Sequence, residues 1–115
     1  MTTQAEVRVT DDVTVVSFLG PIVAGNGDSV LRDQLQELVE SGCRKVLLDL
    51  REVPRLDSAG VGQLVASHRS AQEQGVAVKV LEGTSRVWRV LELSDILPLL
   101  DTYKTEDEAL EAFQS

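Results

Sequence analysis

The sequence is poor in the residues that build metal, redox and haem sites. Cys43 is its only cysteine and His68 its only histidine. An internal disulfide framework, a cysteine-rich zinc site and a two-histidine metal site are therefore excluded. Aromatic residues make up 3% of the chain. Positive charge is also short: 11 Lys and Arg face 19 Asp and Glu, a formal net charge of −8. General binding to nucleic acid or to anionic lipid rewards positive patches and is disfavoured here. Long hydrophobic runs are missing as well. The longest, as in Lys45–Leu50, span a few residues, whereas a membrane helix needs about 20. Residues 1–12 hold no apolar stretch suited to a signal peptide. The expectation is a cytoplasmic protein with no membrane span.

What is present is an ordinary globular balance, 43% apolar and 26% charged over 115 residues. That length predicts one compact domain over residues 1–115. Val7–Val9 and Val13–Leu19 read as two short strands, with Asp11-Asp12 as the hairpin turn between them. Gly20-Pro21 ends the second strand, because proline lacks a ladder donor. Gly25-Asn26-Gly27 is a loop, after which Asp28 or Ser29 caps a helix running through Glu40. Leu31, Leu35, Leu38 and Val39 give that helix one apolar face, and Gly42 stops it. Lys45–Leu50 is a largely buried strand.

After Pro54, Asp57 or Ser58 opens a second helix that continues to about Gln74. Val76–Leu81 is the next strand. Thr84 or Ser85 caps a third helix carrying Val87, Val90 and Leu91. Leu97–Tyr103 is predicted as a last short strand, and Thr105-Glu106-Asp107-Glu108 has the form of a capping box ahead of a final helix. Strands and helices alternate after the hairpin. That order implies parallel strands joined by right-handed crossovers, an α/β fold with a mixed sheet.

The conspicuous segment is Val53–Gly62, which leaves a buried strand and enters a helix. Open α/β sheets place binding sites at such junctions. Asp57, Ser58, Gly60 and Gly62 crowd the predicted helix start. Its free N–H groups favour a negative group. The same residues also suit plain helix capping and close packing.

No catalytic constellation accompanies them. A nucleophile elbow needs G-x-S-x-G, but Leu56 stands two residues before Ser58. His68, the sole candidate base, lies ten residues further along the same helix. At 1.5 Å per residue that is roughly 15 Å, against the ~3 Å a base needs. Gly60-Val61-Gly62 is followed by Val65 where a dinucleotide fingerprint has its third glycine, and no G-K-[ST] follows. Asp49 and Asp57 flank the segment without further metal ligands. Glu106–Glu108 reads as a solvated helix start. Cys43 is expected to be half-buried, Trp88 to pack at the core or its edge, and His68 to sit at the core edge or surface. No cofactor and no metal are expected.

Leu56-Asp57-Ser58-Ala59-Gly60-Val61-Gly62, in its setting of strand, turn, helix and strand, resembles the STAS domain, the family of bacterial anti-sigma factor antagonists. Ser85–Ile96 resembles that family's helix and turn before its last strand, so the likeness spans nearly the whole chain. It implies a four- or five-stranded mixed sheet with helices mainly on one side. It implies a protein of the free-standing type that is not an enzyme. Such a protein binds an anti-sigma factor that is also a serine kinase, is switched off by phosphorylation at the serine matching Ser58, and is reset by a serine phosphatase. Ala59 stands where many members carry a second hydroxyl residue. Many members also carry G-E-L-D after the second strand; the matching residues here are Gly20, Pro21, Ile22 and Val23. Ile22 and Val23 are expected as an exposed apolar contact for a partner, alongside Asp57, Ser58, Ala59, Gly60 and Gly62. Burial of both beneath the first helix is the alternative. A non-switching scaffold or accessory subunit of a transport or signalling complex is the alternative function.

Overall fold

The computed structural model describes residues 2–114. The elements follow in the order β1 (Gln4–Thr10), β2 (Val13–Leu19), α1 (Asp28–Glu40), β3 (Lys45–Asp49), α2 (Ser58–Glu73), β4 (Ala77–Leu81), α3 (Ser85–Leu93), β5 (Thr102–Tyr103) and α4 (Glu106–Phe113). The five strands form one sheet in sequence order. β1 and β2 pair antiparallel through the Asp11-Asp12 turn, with Val7 opposite Val16. The remaining pairs, β2–β3, β3–β4 and β4–β5, are all parallel. This is the mixed α/β sheet that the alternation of elements predicts.

The strand period of two sorts side chains onto two faces. Val16, Phe18, Val46, Leu48, Val78 and Val80 point to one face, where they pack with Leu31 and Leu35 of α1, Leu64 of α2, and Val87 and Leu91 of α3. Val13, Val15, Leu47 and Leu81 point to the other and meet Ala109 and Phe113 of α4. Three helices therefore cover one face and one covers the other. β2 is apolar on both sides for this reason: it is interior to the sheet and coated twice.

Two ends depart from expectation. Leu97–Tyr103 is not one strand. Leu97–Leu99 form a 3-10 turn with Pro98 in its first half, and only Thr102–Tyr103 pair with β4. Proline suits the first turn of a helix and removes a sheet donor. α1 is not capped by Asp28 or Ser29; its N-cap is Gly27, with no side-chain bond. Gly27 has φ +96°, and a Cβ there would stand 2.1 Å from the Pro21 carbonyl oxygen, so no capping side chain fits.

Burial also reassigns His68. Only 3% exposed, it is a core residue of α2, and its Nε2 has no hydrogen-bond partner among the described residues. Burial pushes its pKa down, more than the Val78 backbone, Asp101 and Gln72 push it up. The unfolded chain thus takes up a proton near pH 6.5 that the native ring resists. Cys43 is half-buried as expected, as is Trp88.

A charged relay anchors α4 to the carboxyl end of β3. Asp49, 3% exposed, accepts hydrogen bonds from Ser17 Oγ at 2.9 Å and from the Arg51 backbone N–H and Nε at 3.0 Å each. Arg51 Nη2 also bonds Asp49 at 3.0 Å and reaches Glu106 at the start of α4 at 3.2 Å. Arg8 of β1 pairs with the same Glu106. Burial alone pushes the Asp49 carboxyl up, but Arg51 and Ser17 outweigh it and hold the pKa below its ordinary value.

Two pH effects are expected. The Asp49 contribution is complete above its unfolded pKa of about 3.9 and is lost as pH falls through the lower native value. In acid titrations of stability, Asp49→Asn should lower overall stability and flatten the slope below about pH 4. The native His68 pKa also lies below its unfolded value, so wild-type stability should fall as pH drops below about 6.5. His68→Phe should flatten that limb in urea denaturation curves; an unchanged limb would contradict the assignment.

Candidate functional site

β3 is buried and ends at Asp49. The chain then connects to α2 through residues 50–57. Val53 and Leu56 are buried within this connection, while Arg51, Glu52, Pro54 and Arg55 are exposed. Backbone bonds fix its path: Val53 N–H to the Leu50 carbonyl at 3.1 Å, Gly20 N–H to Glu52 at 3.3 Å, and Ile22 N–H to Arg55 at 3.0 Å. Ile22 and Leu56 form an isolated parallel bridge. The segment after β2 and the segment after β3 thus run side by side toward the start of α2.

Asp57 is the N-cap of α2. Its backbone is extended, at φ −108° and ψ −175°, as a cap requires. Oδ1 accepts the Gly60 N–H at 2.9 Å. Oδ2 accepts the Ala24 N–H at 3.1 Å. One carboxylate therefore serves two segments 33 residues apart. The Gly60, Ala24 and Ala59 N–H groups and the charge of Arg55 outweigh a small desolvation effect and hold the Asp57 carboxyl below its ordinary pKa. It is an anion at any physiological pH.

Ser58 is the first residue of α2 and is exposed. Its hydroxyl stands at the positive end of the helix, where a phosphate is electrostatically welcome. Gly62 lies one turn on, also exposed, and a Cβ there would meet nothing within 4 Å. Residues at i and i+4 share a helix face, and the later side chain leans back over the earlier one. The lack of a side chain at Gly62 leaves Ser58 uncovered. Gly60 has a different task. It is buried, and a Cβ there would stand 2.0 Å from the Ile22 carbonyl oxygen and 2.8 Å from Leu56 Cδ1. Only glycine lets the helix start lie against this backbone.

The structure brings Asp57, Ser58, Ala59, Gly60 and Gly62 together on one turn. Ile22 and Val23 do not join them at the surface. Ile22 is fully buried and Val23 is 8% exposed, so the expected exposed apolar pair is corrected and the alternative of burial holds; the Ile22 backbone lies against the start of α2. Ala24 and Gly25 are the exposed residues of that segment. Sequence reasoning saw the glycines of this loop but missed that Ala24 is tied to Asp57; no local signal marks a contact between a backbone N–H and a carboxylate so distant in sequence.

Two surface grooves lie outside the turn and do not include Ser58. One, of about 400 Å³, runs between α1 and α2 along Leu35, Val39, Gln63, Ala66 and Ser70. The other, about 450 Å³, lies between Leu19, Arg51, Pro54 and Thr84. Among the described residues no group of three or more His, Cys, Asp or Glu is placed to hold a metal ion, and no helix is long and apolar enough to cross a membrane. His68 and Ser58 sit ten residues apart on the same helix, so no base reaches the Ser58 hydroxyl from there. An exposed serine outside both grooves suits recognition by a macromolecule better than enclosure of a small molecule.

Comparison with known proteins gives a consistent result. A family profile described as STAS domain matches residues 4–109. The anti-sigma F factor antagonist of Paenibacillus polymyxa is 25% identical over 111 residues, covering 96% of this chain and 94% of that protein. The crystal structure of an anti-sigma factor antagonist from Mycobacterium paratuberculosis superposes with a TM-score of 0.87 at 24% identity, over 99% of this chain and 96% of that one. The Bacillus cell fate determinant SpoIIAA in its phosphorylated form shares the fold, with a TM-score of 0.67 at 19% identity over 97% and 99% of the two chains.

The two glycines should respond oppositely to alanine. Gly60→Ala forces backbone apart and should cost on the order of 3 kcal/mol in urea unfolding. Gly62→Ala should gain about 1 kcal/mol from helix propensity. Equal effects at the two sites would refute the packing role of Gly60.

Proposed function

The chain belongs to the STAS domain family, and from that premise we propose that it is an anti-sigma factor antagonist switched by phosphorylation of Ser58. The unmodified protein binds an anti-sigma factor that is also a serine kinase, and so acts on transcription indirectly, in the cytoplasm and without touching nucleic acid. The relatives named as anti-sigma factor antagonists support the general role. The exposure of Ser58 at the first position of α2 carries the switch.

The chemistry on this side of the interface is simple. The Ser58 oxygen forms a bond to the γ-phosphorus of a nucleoside triphosphate, the bond to the departing diphosphate breaks, and the hydroxyl proton passes to a base on the kinase. The protein itself supplies no catalytic group. Phosphorylation adds about −1.5 to −2 charge beside the Asp57 carboxylate, on a chain already at −8. A surface that presented Ser58, Ala59, Gly62 and the Ala24 turn as small, uncharged groups becomes bulky and strongly anionic. A partner shaped to the first form is expelled by the second. A serine phosphatase restores binding by hydrolysing the ester.

A constitutive scaffold is the second reading, favoured by one observation. Pro21, Ile22 and Val23 replace the acidic stretch found at this place in many family members, and Ile22 and Val23 are buried. A partner would then meet the Ala24 turn in place of carboxylates.

The test uses the serine-kinase anti-sigma factor encoded by the same organism. With ATP, phosphate should appear on Ser58 and on no other residue, and Ser58→Ala should abolish it. In titration calorimetry, Ser58→Asp should weaken binding at least about tenfold, or 1.4 kcal/mol, while Ser58→Ala binds like wild type. Absence of phosphate together with unchanged binding by Ser58→Asp would favour the scaffold.

A further inference from the structure

The Asp57 carboxylate joins the Ala24 turn to the start of α2. We propose that phosphorylation of Ser58 breaks this tie, so that the switch changes the shape of the partner surface as well as its charge. The inference rests on the reading of Ser58 as the phosphorylated residue.

The tie is built from few parts. Oδ1 holds the Gly60 N–H at 2.9 Å and Oδ2 holds the Ala24 N–H at 3.1 Å. Both carboxylate oxygens are engaged, one on each segment. The neighbouring residues of the loop have their own anchors. Ile22 N–H is bonded to the Arg55 carbonyl at 3.0 Å, and Val23 and Asn26 exchange backbone bonds at 2.8 and 3.0 Å. Thr3 N–H is bonded to Asn26 Oδ1 at 3.1 Å. Ala24 and Gly25, between these anchors, are exposed. Gly25 has φ +76° and would meet nothing within 4 Å if given a side chain. The Asp57 bond ties this tip to the start of α2.

A phosphate on Ser58 acts against that bond in two ways. It places a second, larger anion on the residue next to Asp57, and like charges at this range repel. It also brings acceptor oxygens to the first-turn N–H groups that Asp57 now serves. The first turn of α2 loses nothing, because one anionic acceptor replaces another. Ala24 lies across the gap on a different segment and has no such replacement. The loss therefore falls on the Ala24–Gly25 tip and leaves the helix intact. The partner surface would then differ between the two forms at Ala24 as well as at Ser58.

Amide hydrogen exchange on the full ¹⁵N-labelled chain tests this without any partner. Phosphoserine is installed at position 58 during translation, and exchange is compared with the unmodified protein. The Ala24 amide should exchange at least about tenfold faster, while Gly60 stays protected. Equal Ala24 exchange in the two forms overturns the proposal, as does joint acceleration of Ala24 and Gly60, which means that α2 has unwound. Asp57→Ser provides an independent check, since a serine keeps the Gly60 cap but has a single short acceptor. It should raise Ala24 exchange in the unmodified protein, and a protected Ala24 there refutes the tie. These results are separate from the kinase experiment: a chain that no kinase modifies loses the switch reading, whereas an unresponsive Ala24 loses only this inference.

Discussion

Two backbones approach each other where α2 begins, and the contact between them sets the rest of the site. The Ile22 carbonyl points at the place where Gly60 would carry a side chain. Because the helix start lies directly on this strand-like segment, Ile22 and Leu56 pair, Val23 becomes core, and Ala24 comes within reach of Asp57. The first turn of α2 is thereby held against the sheet while Ser58, on its outer side, remains open to solvent. A larger residue at position 60 would lift the helix start and dissolve all of these relations together.

The constraint is paired with a second one on the opposite face of the sheet. Asp49 ends β3 and is buried, yet it is an anion held by Arg51 and Ser17. Buried carboxylates persist only when their charge and lone pairs are satisfied. Arg51 also lies in the connection that leads to Asp57, and it reaches forward to Glu106 of α4. The path of the loop out of the sheet is therefore fixed on one side by an ion pair and on the other by backbone contact with residues 20–23. A rigid scaffold beneath and a small exposed turn above is the arrangement a modification switch needs: added charge alters recognition, and the core has no reason to respond.

Function follows from this division of labour. The residues that define the turn are small apart from Asp57, whose carboxylate is engaged by the Gly60 and Ala24 N–H groups. His68, the one imidazole, is committed to the core. On the proposed reading a second protein supplies the chemistry, and the chain contributes a hydroxyl of defined position. Family membership over residues 4–109 fits a protein whose specificity is held in surface shape and charge.

Much of this was legible from sequence because it is local. The hairpin at Asp11-Asp12, the apolar periodicity of α1, the Asp57 cap, the capping role of Thr84 and Thr105 and the β-α alternation each depend on residues close along the chain. Local sterics and hydrogen bonding decide such features. Tertiary structure decided what depends on distant neighbours. Pro98 and the residues around it satisfy a strand pattern, but the space beside β4 admits only two paired residues. Gly27 caps α1 because the Pro21 carbonyl leaves no room for a side chain. Ile22 and Val23 could be read as exposed or buried until the chain is folded, when both are buried, and His68 looks like an edge residue until α2 packs on the sheet. Burial is a property of the assembled layers, so neither composition nor spacing determines it. The identity of the turn was written in seven consecutive residues; which of them face outward was settled only when two segments, 33 residues apart, met at one carboxylate.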